Sequence, residues 1–175
     1  MKTTGVIRRM DNLGRVVIPI HFRKKAGIYE NDDVEITLND RNQIVIGKYN
    51  SLSGMTRMFD TIVSSVYSIL QGTLIITDQD QILSSYGVKS YSYKKGEPLS
   101  GEMKRRIKRE PHSLPAGRII EGLNEESTTY VQPIAGRNGN LTGAIVYIYE
   151  KDLLENVSKI LASYAIFISE MMKQE

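Results

Sequence analysis

The sequence contains no cysteine and no tryptophan among its 175 residues, and it has only two histidines. The absence of cysteine excludes a disulfide framework, a thiolate zinc site and a cysteine nucleophile. The histidines, His21 and His112, form neither an HxxxH nor an HExxH pair, so a histidine-based metal site lacks ligands. We therefore expect no metal and no cofactor, and no pattern of catalytic residues indicates an enzyme.

Long apolar stretches and phosphate-binding loops are also missing. No window approaches 18 uninterrupted apolar residues, and the N-terminus lacks the apolar stretch of a secretory signal. Neither a GxxxxGK[ST] loop nor a GxGxxG turn occurs. Asp78 and Asp80 flank a short turn, where such residues are turn formers more often than paired catalytic carboxylates. These absences predict a cytoplasmic protein that neither spans a membrane nor carries catalytic groups.

The positive charge is concentrated near the N-terminus. The whole chain has a net charge of +3, but residues 1–25 hold seven basic residues and one acidic residue. Residues 51–175 hold 14 residues of each sign and are neutral. Charge focused in this way, between β-prone apolar residues, favours a polyanionic partner, while a solvated surface is the alternative.

A second basic run occupies residues 104–109, where five of six residues are Lys or Arg. It falls in a helix predicted for residues 100–110. On such a helix Met103 and Ile107 would face inward and the bases outward. The simplest interpretation is a solvated helix face, and the alternative is a surface for an anionic ligand or a second nucleic-acid contact.

The first 50 residues predict a small β unit with one short helix. Apolar residues alternate in the strand segments, and Pro19 suits the first turn of a helix. The expected elements are strands at 5–10, 15–18, 33–38 and 43–48 and a helix at 20–26. Hairpins of this size bury little apolar surface alone, and no disulfide is available to stabilise them. We therefore expect two chains to share one core.

The remaining residues predict an α+β domain with an antiparallel sheet and helices on one face. The expected elements are helices at 52–71, 100–110 and 151–173 and strands at 73–77, 81–86, 118–123, 128–135 and 141–150. The two long terminal helices have more apolar surface than one sheet face requires. A second copy of the chain could cover this excess.

The sequence TGVIRRMDNLGRVVIP at residues 4–19, continued by FRKKAGI at residues 22–28, resembles the AbrB family of bacterial transition-state regulators. The resemblance implies a transcriptional regulator whose swapped hairpins form a homodimer that binds double-stranded DNA in the cytoplasm, on the nucleoid. Its DNA-contacting arginines correspond to Arg8, Arg15 and Arg23, with Arg9 as an additional base. Lys24 stands where a second helix arginine is usual, and a lysine lacks the fork that suits guanine.

The motifs VQPI at residues 131–134 and GAIV at residues 143–146 look like the core hairpin of a GAF-type sensory domain. This resemblance implies an AbrB-like domain at 1–50, a linker at 51–55 and a GAF-like regulatory or oligomerisation domain at 56–175. The combination implies control of sporulation genes. The second domain would bind an unidentified small-molecule effector, through residues that the sequence does not specify, or would set a tetramer through the helices at 52–71 and 151–173.

Two other functions remain open from the sequence. Swapped-hairpin domains also occur in antitoxins, which would need an extended toxin-binding tail that lacks packed structure. Residues 51–175 are too regular in pattern for such a tail. The second alternative is a metabolite-binding protein whose basic N-terminal domain only assembles subunits, and ligand binding without DNA binding would favour it.

Overall fold

The computed structural model describes residues 5–49, 52–114, 117–136, 139–149 and 156–173, without the side chains of Ser53 and Leu114. The chain divides into two compact units, Met1–Tyr49 and Asn50–Glu175. We refer to them as the N-terminal unit and the C-terminal unit. Parts of the predicted linker and residues 151–155 of the predicted last helix lie outside the described residues.

The N-terminal unit contains one short helix and one antiparallel hairpin. The elements are α1 (Ile20–Lys25), β1 (Val34–Leu38) and β2 (Ile44–Lys48). The hairpin pairs from Val34 opposite Lys48 to Leu38 opposite Ile44. All five side chains of β1 are exposed. Among residues 5–49, Ile28 is the one hydrophobic side chain that is buried.

The structure forms no strands at 5–10 and 15–18, where the sequence predicts them. Only the turn between them is closed, because Asp11 N donates to Arg15 O at 3.0 Å. Ile7 and Val17 are 96% and 77% exposed. The strand prediction is wrong for a single chain, since these segments have no partner backbone within the described part of the unit.

The C-terminal unit is built on a five-stranded antiparallel sheet with the order β4-β3-β7-β6-β5. Its strands are β3 (Thr73–Asp78), β4 (Ile82–Gly87), β5 (His112–Leu114), β6 (Thr128–Ala135) and β7 (Leu141–Tyr149). Its helices are α2 (Thr56–Leu70), α3 (Gly101–Arg106) and α4 (Val157–Met172). A 3₁₀ turn at Ser53–Met55 precedes α2, so the predicted helix at 52–71 is shorter than expected.

Both faces of this sheet are covered, whereas the sequence predicts helices on one face. Helices α2 and α4 bury Phe59 and Leu161 with Leu74 and Ile76 of β3. On the other face, α3 and its flanking loops bury Met103, Ile107 and Tyr93 with Ile75 of the same strand. Consecutive β3 residues point to opposite faces, which explains why the run is continuously apolar.

The predicted strand at 118–123 does not form. Instead, Ser100 N donates a hydrogen bond to Ile119 O at 2.9 Å. Ile120 forms an isolated antiparallel bridge with Leu99. The strand beside β6 is β5, with His112 opposite Val131. Tertiary contacts replace the predicted ladder, because the residues that begin α3 occupy the polar groups that a strand ladder would need.

The outer edges of the sheet are modified in two ways. Strand β5 has only three residues. On β4, Ile82 N donates to Glu97 O at 3.0 Å, and Gly96 N donates to Ile82 O at 2.8 Å. The hydroxyl of Ser85 also donates to Tyr93 O at 2.6 Å. A following loop therefore lies along part of the β4 edge.

Candidate nucleic-acid interface

The turn from Asp11 to Arg15 is closed by the Asp11 side chain. Its Oδ1 accepts from Leu13 N at 2.9 Å and from Arg15 N at 2.8 Å. Gly14 has a φ of 75°, which glycine adopts without the steric penalty of other residues. The motif Asp-Asn-Leu-Gly-Arg thus folds locally, through an acceptor at its first residue and a glycine at its fourth.

Arg15 is tied to this turn by an ion pair. Its Nε donates to Asp11 Oδ2 at 2.7 Å, while the Arg15 side chain is 74% exposed. The Arg15 backbone N–H, and then its guanidinium, lower the pKa of the Asp11 carboxyl. The guanidinium is therefore attached through Nε, and the N–H groups of both Nη atoms have no partner among the described residues.

Arg23 and Lys24 lie next to each other in the last turn of α1. Pro19 precedes the helix and Gly27 follows it with a φ of 70°, so the helix is short. Arg23 is half-buried, and its Nε donates to Ile18 O at 3.2 Å. Lys24 is exposed. Cations in the last turn also interact favourably with the helix dipole.

Arg8 and Arg9 precede the Asp11 turn, and both are exposed. Neither forms an ion pair or hydrogen bond with another residue that the structure describes. No such bond joins any two of the five predicted contact residues within residues 5–49. The N-terminal unit therefore displays exposed cations on three segments: the stretch before the turn, the turn itself and α1.

Sequence reasoning does not single out Asp11, although its carboxylate contacts Arg15, a predicted DNA-binding residue. The signal was an acidic residue four positions before an arginine, across a turn with glycine at its fourth residue. That spacing is usually considered in helices, where it also forms ion pairs.

The second basic run, at residues 104–109, is partly neutralised. Lys104 Nζ lies 2.7 Å from Asp80 Oδ1, and Arg106 pairs with Glu102. Met103 and Ile107 are each 1% exposed, which confirms their expected inward orientation. The run is therefore the outer face of a packed helix and the turn after it, with less free charge than its composition indicates.

A surface pocket of about 420 Å³ lies beside the start of α3. Its carboxylates are already hydrogen-bonded, since Gly101 N donates to Glu121 Oε1 at 3.0 Å and Arg118 N donates to Glu102 Oε2 at 3.2 Å. The lining residues are Ser100, Gly101, Glu102, Arg105, Arg118 and Glu121. The pocket thus offers two guanidinium groups to a polar ligand.

A buried polar cluster fixes the loop after β4. Glu125 accepts from Lys89 Nζ at 2.8 Å and from the Tyr93 hydroxyl at 2.6 Å. Burial raises the pKa of Glu125, but the hydrogen bonds from Lys89, Tyr93 and the Ser127 backbone N–H, together with the Lys89 charge, leave the pKa lowered. Burial and the bond to Glu125 raise the pKa of Tyr93. Both groups keep their ordinary charge at neutral pH, which indicates a structural role.

The described residues contain neither a candidate metal site nor a candidate membrane-spanning helix. No group of three or more His, Cys, Asp or Glu side chains in those ranges could hold a metal ion. Among the same residues, no helix combines the length and the apolar character that crossing a membrane requires.

Comparison with known proteins gives matches to the N-terminal unit and to the whole chain. The profile of a family described as "Antidote-toxin recognition MazE, bacterial antitoxin" matches residues 7–53. Stage V sporulation protein T of Bacillus subtilis (strain 168) is 30% identical over 180 residues, which cover 99% of this chain and 100% of that protein. Transition state regulatory protein AbrB of the same organism is 51% identical over 49 residues, 28% of this chain and 50% of that protein.

Among solved structures, the solution structure of the N-domain of the transcription factor AbrB is similar at 50% identity. The matched region covers 29% of the present chain and 94% of the AbrB N-domain chain, with a TM-score of 0.26.

These relatives confirm the expected resemblance to AbrB in the first 50 residues. They also confirm a resemblance, over the whole chain, to stage V sporulation protein T, which the sequence predicts from an AbrB-like segment followed by a GAF-like one. The relatives are named as a sporulation protein and as a transition state regulatory protein, which agrees with the expectation that the chain is not an enzyme. The chain therefore belongs to the AbrB-related family of regulators that includes stage V sporulation protein T.

Proposed function

We propose that this protein is a transcriptional regulator that binds double-stranded DNA through its N-terminal unit. The observation that carries the proposal is that this unit exposes several cationic side chains. Residues 1–25 hold seven basic residues and one acidic residue. The contact residues are Arg8, Arg15, Arg23 and Lys24, with Arg9 as a secondary contact. Exposed arginine and lysine side chains bind phosphates, and an arginine fork also reads guanine.

The binding form is a homodimer that shares swapped hairpins. Its support is the apolar surface that one N-terminal unit leaves uncovered, including Ile7, Val17 and Ile36, which are 96%, 77% and 65% exposed. Contiguous apolar surface of this kind marks an interface. A two-fold dimer doubles the four main contacts to eight. The slope of log K against log salt concentration should therefore be no steeper than about −7.

The C-terminal unit is a GAF-like domain that assembles dimers into a tetramer or binds an effector. Assembly is supported by apolar side chains left on the outside of α4, where Ile166 and Phe167 are 63% and 47% exposed. The pocket beside α3 is the place for a small polar effector. Sedimentation decides the first role, since Phe167→Asp should convert tetramer to dimer. Lys108→Asp should not, because Lys108 is exposed after α3, which packs on the other face of the sheet.

The family resemblance supports two further parts of the proposal. The targets are sporulation genes, because the relative that spans the whole chain is named as a sporulation protein. The location is the cytoplasm, on the nucleoid, where duplex DNA is available to the N-terminal unit.

The test is duplex affinity of the full chain across a salt series. Arg15→Ala should cost about 1–3 kcal/mol in binding. Arg109→Ala is the matched control, because it removes an exposed arginine from the C-terminal unit, and it should bind as the wild type does. A folded wild-type protein that binds no duplex at low salt would overturn the proposal and favour the metabolite-binding alternative.

An antitoxin is the second candidate, and the match of residues 7–53 to the MazE family favours it. The C-terminal unit argues against it, because two buried clusters on a five-stranded sheet differ from the extended tail that wraps a toxin. Co-purification of a small stoichiometric partner with the full chain would favour the antitoxin.

A further inference from the structure

Two turns of the N-terminal unit, at residues 11–15 and 39–43, have the same hydrogen bonds. At the second turn, Asn39 Oδ1 accepts from Arg41 N and from Gln43 N, both at 3.0 Å, as Asp11 Oδ1 accepts at the first. Asn39 N donates to Gln43 O at 3.0 Å, as Asp11 N does to Arg15 O. The fourth residue has a positive φ in both turns, 56° at Asn42 and 75° at Gly14.

This repetition separates what the turn needs from what Asp11 adds. The Asn39 amide closes the same turn without a charge, so the turn does not require a carboxylate at its first residue. The second oxygen of Asp11 is the difference, since Oδ2 accepts from Arg15 Nε at 2.7 Å. In the Asn39 turn the corresponding atom is Nδ2, which donates to Gln43 Oε1 at 3.0 Å.

The Asp11 charge affects two properties of Arg15. Holding Nε fixes the orientation of the guanidinium and leaves both Nη groups for a bidentate contact. A carboxylate at this distance also offsets the guanidinium charge, and the long-range attraction to phosphates depends on that charge. The first effect favours reading of a base, and the second disfavours binding that is independent of sequence.

We propose that Asp11 is a positioning residue that makes duplex binding by Arg15 selective for sequence. The proposal rests on the proposed DNA-binding function and adds to it the residue that sets the ratio of specific to nonspecific binding. Asp11 itself contacts no DNA in this proposal. It acts through Arg15 alone.

The test compares Asp11→Asn with wild type on two probes: a duplex of about 30 base pairs enriched by the wild-type full chain from a random pool, and a scrambled duplex of the same composition. Asp11→Asn should bind the scrambled duplex more tightly, with a salt slope steeper by roughly 2 for the dimer. Its ratio of specific to nonspecific affinity should fall about tenfold, as expected when bidentate contacts lose their orientation.

The matched control is Asp40→Asn, which removes the same charge from the exposed second position of the other turn. It should raise affinity for both probes slightly and equally, and leave their ratio unchanged. If Asp11→Asn behaves in the same way, the positioning role is overturned while DNA binding stands. If the wild type binds neither probe at low salt, the proposed function itself fails.

Two further measurements isolate the route through Arg15. In an Arg15→Gln background, Asp11→Asn should no longer change the affinity ratio, because a residue acting through Arg15 has no effect without it. In ¹⁵N spectra of the wild type, the Arg15 Nε–H should exchange slowly with solvent and lose this protection in Asp11→Asn. An unprotected Arg15 Nε–H in the wild type would overturn the proposal, even if the variant failed to fold.

Discussion

In the N-terminal unit, Ile36 and Leu38 on strand β1 are 65% and 66% exposed, whereas in the C-terminal unit Leu74 and Ile76 on strand β3 are 1% and 0% exposed. Both pairs alternate along a strand and would suit a buried face. The C-terminal unit supplies that face within one chain, and the N-terminal unit does not. The comparison indicates that the C-terminal unit buries its apolar strand face within one chain, whereas the N-terminal unit leaves such a face uncovered, as the proposed dimer requires.

The largest expected effect comes from a charge on the exposed apolar face of β1. Ile36→Asp should reduce duplex binding at least 100-fold, because it would bury an unpaired carboxylate in the core of the proposed dimer. Thr37→Asp is the control, since Thr37 lies on the opposite face of the same strand, and it should dimerise. Two-dimensional NMR should show the C-terminal unit folded in both variants. Normal dimerisation of Ile36→Asp would contradict the comparison.

A cavity in the C-terminal unit should have the next largest effect. Phe59 is 0% exposed between α2 and the sheet, so Phe59→Ala should cost about 3–5 kcal/mol in the free energy of unfolding of that unit. Tyr91→Ala removes an aromatic ring that is 75% exposed and should cost within about 0.5 kcal/mol. Urea unfolding measures both. Equal losses would show that the C-terminal core is not the source of its stability.

The smallest expected effect is a dependence of stability on pH. The pKa of Glu125 is lowered in the folded state, so its contribution is complete above about pH 5 and is lost as the pH falls through that folded-state pKa. Glu125→Gln should therefore be less stable than wild type at pH 7 by about 1–3 kcal/mol, with a difference that narrows in acid. Unfolding by urea at several pH values tests this, and a constant difference would contradict it.

The sequence predicts the C-terminal unit well where periodicity is strong. The helices with regular apolar spacing and the strands β3, β4, β6 and β7 lie close to their expected positions. Segment 118–123 has strand-like residues, but it does not pair as a strand. The start of α3 already uses its backbone hydrogen-bonding groups. That competition depends on tertiary structure and leaves no mark in local composition.

In the N-terminal unit the sequence predicts candidate contact residues, and its prediction of strand pairing fails for one chain. Arg15, Arg23 and Lys24 follow from a motif, and the structure places them on a turn and on α1. The strands at 5–10 and 15–18 are absent from one chain, and in the proposed dimer a second chain would supply their partners. The Asp11–Arg15 ion pair was also missed, because turn residues are usually assigned by backbone preference and not by what their second oxygen contacts.

The edges of the sheet in the C-terminal unit affect the tendency of this protein to aggregate at high concentration. An exposed strand edge invites other chains to extend the sheet, which leads to aggregation. Here one edge is the three-residue β5, and part of the other is covered by residues 96 and 97. Growth by strand addition is therefore hindered at both ends of the sheet. We therefore expect the chain to tolerate high concentration with little edge-to-edge pairing of these sheets.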